Sequence, residues 1–209
     1  MRIYHWKDLK SIVFELKMNK AAIVDTDTVK GLIAIQPDII YELKKRSLRK
    51  RLIVFISRLE QIPEVLPEDL QPLVNNYWPG PLTIVLNGTS YRMPKYQPLL
   101  HLIDEVGPLY SSSANLSDQP PVTNLAEIQT QFQGKINKLI IVEANSFHPA
   151  KISRIASTIF DYNQKKILRS GEISAEQISA YVPVKKDRPI NLFLSFLRKK
   201  NAARNNHNK

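Results

Sequence analysis

Seven short strand-type runs, AAIV, RLIVFIS, LTIVLN, GPLY, KLIIVEA, STIFDY and KKILRSG, alternate with stretches whose apolar residues recur at helical spacing. In KDLKSIVFELKM, for example, Leu9, Ile12, Val13 and Leu16 fall on one stripe. PDIIYELKKR opens with proline at a first-turn position, PEDLQPLVNNY is stopped by WPGP, and LAEIQTQFQG is ended by glycine. YQPLLHLIDEV and the capped SAEQISAYV complete the helical set. Strands interleaved with helices along the whole chain predict one α/β domain over residues 1–182, a sheet with flanking helices. Residues 183–209 read as a linker, PVKKDRP, followed by a short apolar stretch and a basic tail.

Charge is the second constraint. The 209 residues carry 30 Lys and Arg against 19 Asp and Glu, a net charge of +11 that favours phosphates, nucleic acid or anionic surfaces as partners. The tail from Pro183 onward holds +7 of it, which leaves +4 for the domain. A second local excess lies in LKKRSLRKRL, where Lys44, Lys45, Arg46, Arg49, Lys50 and Arg51 crowd into eight positions ahead of an apolar run. No cysteine is present, which removes disulfide frameworks, thiolate metal sites and a cysteine nucleophile. The four histidines lack paired-ligand spacing, so no metal site is expected. No window is apolar enough to cross a membrane and the N-terminus lacks a secretory core, so the expectation is a cytoplasmic protein.

The six glycines (Gly31, Gly80, Gly88, Gly107, Gly134 and Gly171) fit neither G-x-G-x-x-G nor G-x-x-x-x-G-K-[ST]. A nucleotide would therefore be held by side chains rather than by a glycine-rich amide cradle. Candidates stand at strand ends: DTDT after AAIV, KKRS before RLIVFIS, SSSAN after GPLY, and Ser157 and Thr158 opening TIFDY, with Arg169 ending the next run. Taken singly, each cluster also reads as ordinary turn, cap or solvated-face chemistry.

Their order along the chain is more informative. DTDTVKGL (25–32), KKRSLRKRL (44–52), WPGPLTIVL (78–86), RMP (92–94), SSANLSDQPP (112–121), STIFD (157–161) and RSG (169–171) follow one another as in the YrdC-like threonylcarbamoyl-AMP synthases, which this chain resembles over about residues 20–175. The resemblance implies a twisted mixed sheet around a deep basic cleft. It implies an enzyme, a nucleotidyltransferase joining L-threonine, bicarbonate and ATP into threonylcarbamoyl-AMP with release of pyrophosphate. Partner proteins then pass the group to tRNA. By motif match, Lys44 and Arg46 would act in catalysis and grip the triphosphate, both on one side of a chain entering a strand. Ser113, Asn115 and Arg169 would bind nucleotide, and Thr26, Arg92 and Ser157 would hold threonine, Arg92 by its carboxylate. Mg²⁺ is expected to accompany ATP, with no protein-held metal site declared and with Asp25 and Asp27 open to reading as turn residues.

The chain departs from the family pattern at several points. Asp25 stands where the family has proline, Lys30 where it has tyrosine, Arg51 where proline is usual, and SD where S-G follows the S-A-N block. Lys45, Arg49 and Arg51 read as solvated or RNA-facing. A non-catalytic module holding tRNA or rRNA on the same fold is the second reading, supported by the net charge and by Lys30; a carbamoyl-phosphate-using relative is a third.

Overall fold

The computed structural model describes residues 1–120, 122–144 and 152–185. The predicted strand runs all form strands, joined by three more, in one ten-stranded mixed sheet. In chain order these are β1 (Arg2–His5), β2 (Ala21–Val24), β3 (Gly31–Ala34), β4 (Ile53–Phe55), β5 (Leu82–Leu86), β6 (Thr89–Arg92), β7 (Leu109–Ser113), β8 (Leu139–Glu143), β9 (Thr158–Asp161) and β10 (Lys166–Arg169). Their spatial order is β1-β8-β2-β3-β7-β4-β6-β5-β9-β10. The helices are α1 (Leu9–Lys17), α2 (Pro37–Lys44), α3 (Gln71–Tyr77), α4 (Gln97–Val106), α5 (Leu125–Gln131) and α6 (Ala175–Ser179).

Both faces of the sheet are covered, which is why its central strands are apolar throughout rather than alternating. In β2, Ala22 and Val24 pack with α1 and α4, while Ala21 and Ile23 pack with α2 and α5 on the opposite face. Register carries this division across the sheet: Ala22 lies opposite Ile33 and Ile140, and Ile23 opposite Leu32 and Ile141. Towards the other end, α3 and α6 cover Leu82, Ile84, Tyr91 and Phe160.

Local signals set the helix limits. Pro37 occupies the first turn of α2, Asn124 caps α5 by accepting from Glu127 N–H, and Ser174 and Gln177 form a reciprocal capping box on α6. α2 stops because Lys45 turns left-handed (φ 49°), and Lys135 Nζ then donates to the freed carbonyls of Glu42 (2.6 Å) and Leu43 (3.1 Å). The helix therefore ends two residues before the predicted Arg46, and β4 is shorter than the run RLIVFIS. The last described residues still pack on the domain: Val184 joins the α3/α6 core and Lys185 N–H donates to Lys165 C=O at 2.7 Å. The remainder of the basic tail, from residue 186, lies outside the described residues.

Candidate active site

The register brings polar side chains together on one face of the central strands β3, β7, β4 and β6. Side chains two apart on a strand share a face. Ser111 and Ser113 on β7, Ile53 and Phe55 on β4, and Gly31 on β3 therefore point the same way, with Gly31 opposite Ser113, Ser111 opposite Ile53, and Phe55 opposite Arg92 at the end of β6. With Thr26 and Thr28 from the β2–β3 loop, Ser157 just before β9 and Arg169 at the end of β10, they line a cavity of ≈ 140 Å³. Gly31 keeps this space open: a Cβ there would lie 3.2 Å from the Thr26 methyl and 3.6 Å from Ser111 Oγ.

Two guanidinium groups dominate its charge. Arg92 is only 3% exposed. It donates from Nε to Gly80 C=O (3.0 Å), from Nη1 to Thr28 Oγ1 (2.8 Å) and from Nη2 to Asp27 Oδ1 (2.6 Å), and stacks 5.7 Å from the centre of the Phe55 ring. Burial pulls its pKa down and the Asp27 carboxylate pushes it back up. Arg169 donates to Ser157 C=O at 3.0 and 2.8 Å and to Ser157 Oγ at 2.9 Å; burial and the charge of Arg92 lower its pKa. Ser157 Oγ also lies 2.8 Å from Thr83 Oγ1. With Arg92 balanced by Asp27, Arg169 leaves the cavity net cationic, suited to a carboxylate or phosphate.

Lys44 and Asn115 stand behind Ser113. Lys44, 1% exposed, donates from Nζ to Ser113 C=O, to Asn115 C=O (2.5 Å) and to Asn115 Oδ1 (3.3 Å), three acceptors for an ammonium's three N–H groups. Burial, helped by repulsion from Arg46, lowers its pKa to about 7. Ser113 Oγ donates to Asn115 Oδ1 at 2.5 Å, and Asn115 Nδ2 donates to Leu116 and Gln119 carbonyls. Any substrate contact from Lys44 thus passes through this network.

Thr26, Arg92, Ser113, Ser157 and Arg169 therefore share one cavity, and Lys44 and Asn115 support it. Arg46 does not share their direction. The expectation that Lys44 and Arg46 point to one side of an extended chain is overturned: Lys44 ends a helix, Lys45 is left-handed, and Arg46 turns back to donate to Lys50 C=O (3.1 Å) and Arg51 C=O (3.0 Å). Asp25 and Asp27 are ion-pair partners, of Lys30 and Arg92, rather than simple turn residues.

Thr83 is the site residue that sequence reasoning missed, while Asp27 and Thr28, present in the DTDT cluster, take their roles from Arg92. Thr83 was within reach, since it is the threonine of WPGPLT, but it sits inside an apolar run. A second cavity, of ≈ 270 Å³, adjoins at Val29 and is walled by Lys30, Val122, Thr123, Ile152 and Arg154. The segment carrying the last two is pinned to the site loop, Ser153 N–H to Asp27 C=O and Arg154 N–H to Thr28 C=O. Among the described residues no cluster of three His, Asp or Glu side chains could hold a metal.

This is an α/β domain whose strand-end cavity is built from side-chain cations and hydroxyls. The chain belongs to the Sua5/YciO/YrdC family, whose model, described as "Telomere recombination", matches residues 15–171. It is 32% identical over 164 residues to the uncharacterized protein MG259 of Mycoplasma genitalium, covering 78% of this chain and 35% of that one. To the threonylcarbamoyl-AMP synthase of Pyrococcus abyssi it is 30% identical over 207 residues, covering 87% of this chain and 58% of that one. The chain thus spans about a third of the first relative and somewhat over half of the second. In structure it is similar to P. abyssi Sua5 complexed with L-threonine, with a TM-score of 0.75 and 25% identity over 88% of this chain and 63% of that one.

Proposed function

We propose that this chain is an L-threonylcarbamoyladenylate synthase, forming threonylcarbamoyl-AMP and pyrophosphate from L-threonine, bicarbonate and ATP for tRNA modification. The observation that carries the reading is the convergence of Arg92, Arg169 and the hydroxyls of Thr26, Thr28, Ser113 and Ser157 on one cavity, in a member of this family. Attack of an anionic threonine carbamate on the α-phosphorus of ATP brings like charges together. The protein's task is to neutralise and align them. In this reading Arg169 faces the anionic groups directly. Thr26 and Ser157 position the amino acid, and Arg92 holds the Thr28 and Asp27 loop against the Gly80 turn while adding its field to the cavity. Ser113 and Asn115 border the nucleotide, with Lys44 fixing both. Arg46 reaches phosphate only if its loop, 46–51, turns toward the cavity. Mg²⁺ would neutralise phosphate charge. Because Asp25 and Asp27 already hold cations, it would arrive on the triphosphate rather than on a protein carboxylate set.

The test is pyrophosphate release with ATP and bicarbonate, with and without L-threonine. Release that depends on threonine supports the reading; release indifferent to threonine, or none, defeats it.

A further inference from the structure

Two departures from the family pattern, Asp25 and Lys30, lie five positions apart in sequence and side by side in space. β2 and β3 run antiparallel with Val24 opposite Gly31, so Asp25 and Lys30 are the first residues beyond the ladder on each chain. There Lys30 Nζ donates to Asp25 Oδ1 at 2.5 Å. The Asp25 side chain is 9% exposed and that of Lys30 is 22% exposed. A carboxylate sunk that far from water is costly without a cation beside it, and neutralising its partner leaves it stranded. The pair stands at the neck of the 26–29 loop, which carries two of the cavity's hydroxyls. Within the loop Thr26 Oγ1 donates to Val29 C=O (2.6 Å) and Thr28 N–H donates back to Thr26 Oγ1 (3.1 Å). On its far side the loop is tied to Arg92 through Asp27 and Thr28. Among the described residues, the Asp25–Lys30 contact is the one that joins its two ends side chain to side chain.

We infer that Asp25 and Lys30 work as one positioning unit, a salt-bridged clasp that closes the neck of the 26–29 loop and so sets where Thr26 and Thr28 meet the amino-acid substrate. The pairing also balances charge: the Lys30 cation adds no net charge beside the loop because the Asp25 carboxylate stands opposite. Lys30 also lines the neighbouring cavity. The ligand in this inference rests on the function proposed above; the clasp itself does not.

The experiment compares the full chain with Lys30→Met, Asp25→Asn, the double variant Asp25→Asn/Lys30→Met, and Lys30→Arg. Hydrogen exchange over residues 25–31 reads the clasp without any assumption about activity. Protection should fall in Lys30→Met, fall little further in the double variant and persist in Lys30→Arg. In the threonine-dependent pyrophosphate assay, Lys30→Met should raise KM for L-threonine roughly tenfold with kcat little changed, and adding Asp25→Asn should raise it little further. Unaltered exchange in Lys30→Met, or a double variant much worse than either single one, overturns the clasp. Altered exchange with an unchanged threonine KM overturns its positioning role. If the wild-type chain releases no pyrophosphate, the proposed function has failed while the exchange measurements still decide the clasp.

Discussion

Three of the five N–H groups of Arg92 donate to protein oxygens, and the guanidinium is almost fully buried. Lysine at this position keeps the charge but not the fork. Arg92→Lys should therefore lose about 2 kcal/mol of unfolding free energy in urea titration, because a single ammonium cannot reach Gly80 C=O, Thr28 Oγ1 and Asp27 Oδ1 together. Lys44 makes a different prediction. Burial takes its pKa from 10.5 to about 7, so between those values the unfolded chain binds a proton that the folded chain does not. The group's contribution to stability is poorest below pH 7 and improves as pH rises from 7 to 10.5. Lys44→Met should abolish that slope and, by removing the ammonium's bonds to the Ser113 and Asn115 carbonyls, lower stability by about 2 kcal/mol. Thr26, Ser113, Ser157 and Arg169 were legible in the sequence because each stands at the end of a recognisable strand. Asp27 and Thr83 were not, because their roles exist only through Arg92, 65 positions from Asp27, and Ser157, 74 positions from Thr83.

Apolar runs and helical stripes were enough to place seven strands and six helices. What escaped were strands whose sequence is not apolar. β1, RIYH, is an edge strand with Arg2 and Ile3 exposed, so burial does not mark it. β6, TSYR, buries Ser90 and Arg92. Its signal was the Asn87-Gly88 pair between Leu86 and Thr89, both left-handed (φ 48° and 88°), a two-residue hairpin turn. β3 was obscured by its place after the polar DTDTVK loop. At this scale Gly171 is the sharpest constraint: a Cβ there would lie 2.2 Å from Ala156 C=O and 2.5 Å from Thr158 N, so the chain after Arg169 could not keep its approach to Ser157. Gly171→Ala should lower the melting temperature by about 5 °C in calorimetry and depress threonine-dependent pyrophosphate release further than that loss explains.

For the molecule as a whole, charge divides more sharply than structure. Residues 186–209 hold seven of the thirty cations, so deleting them should spare pyrophosphate release while weakening RNA binding and flattening its dependence on salt. RNA affinity and salt response unchanged by the deletion would show that the domain surface, not the tail, meets polyanions. No helix among the described residues is long and apolar enough to cross a membrane. The cavity's lining runs from Thr26 to Arg169. Ligand bound there braces strands encoded far apart and should raise the melting temperature with concentration. A polypeptide interrupted after β8 would possess Thr26, Arg92 and Ser113 yet lack both the hydroxyl of Ser157 and the guanidinium of Arg169. A chain cut there should therefore give no threonine-dependent pyrophosphate release, even where the proposed function holds for the whole chain.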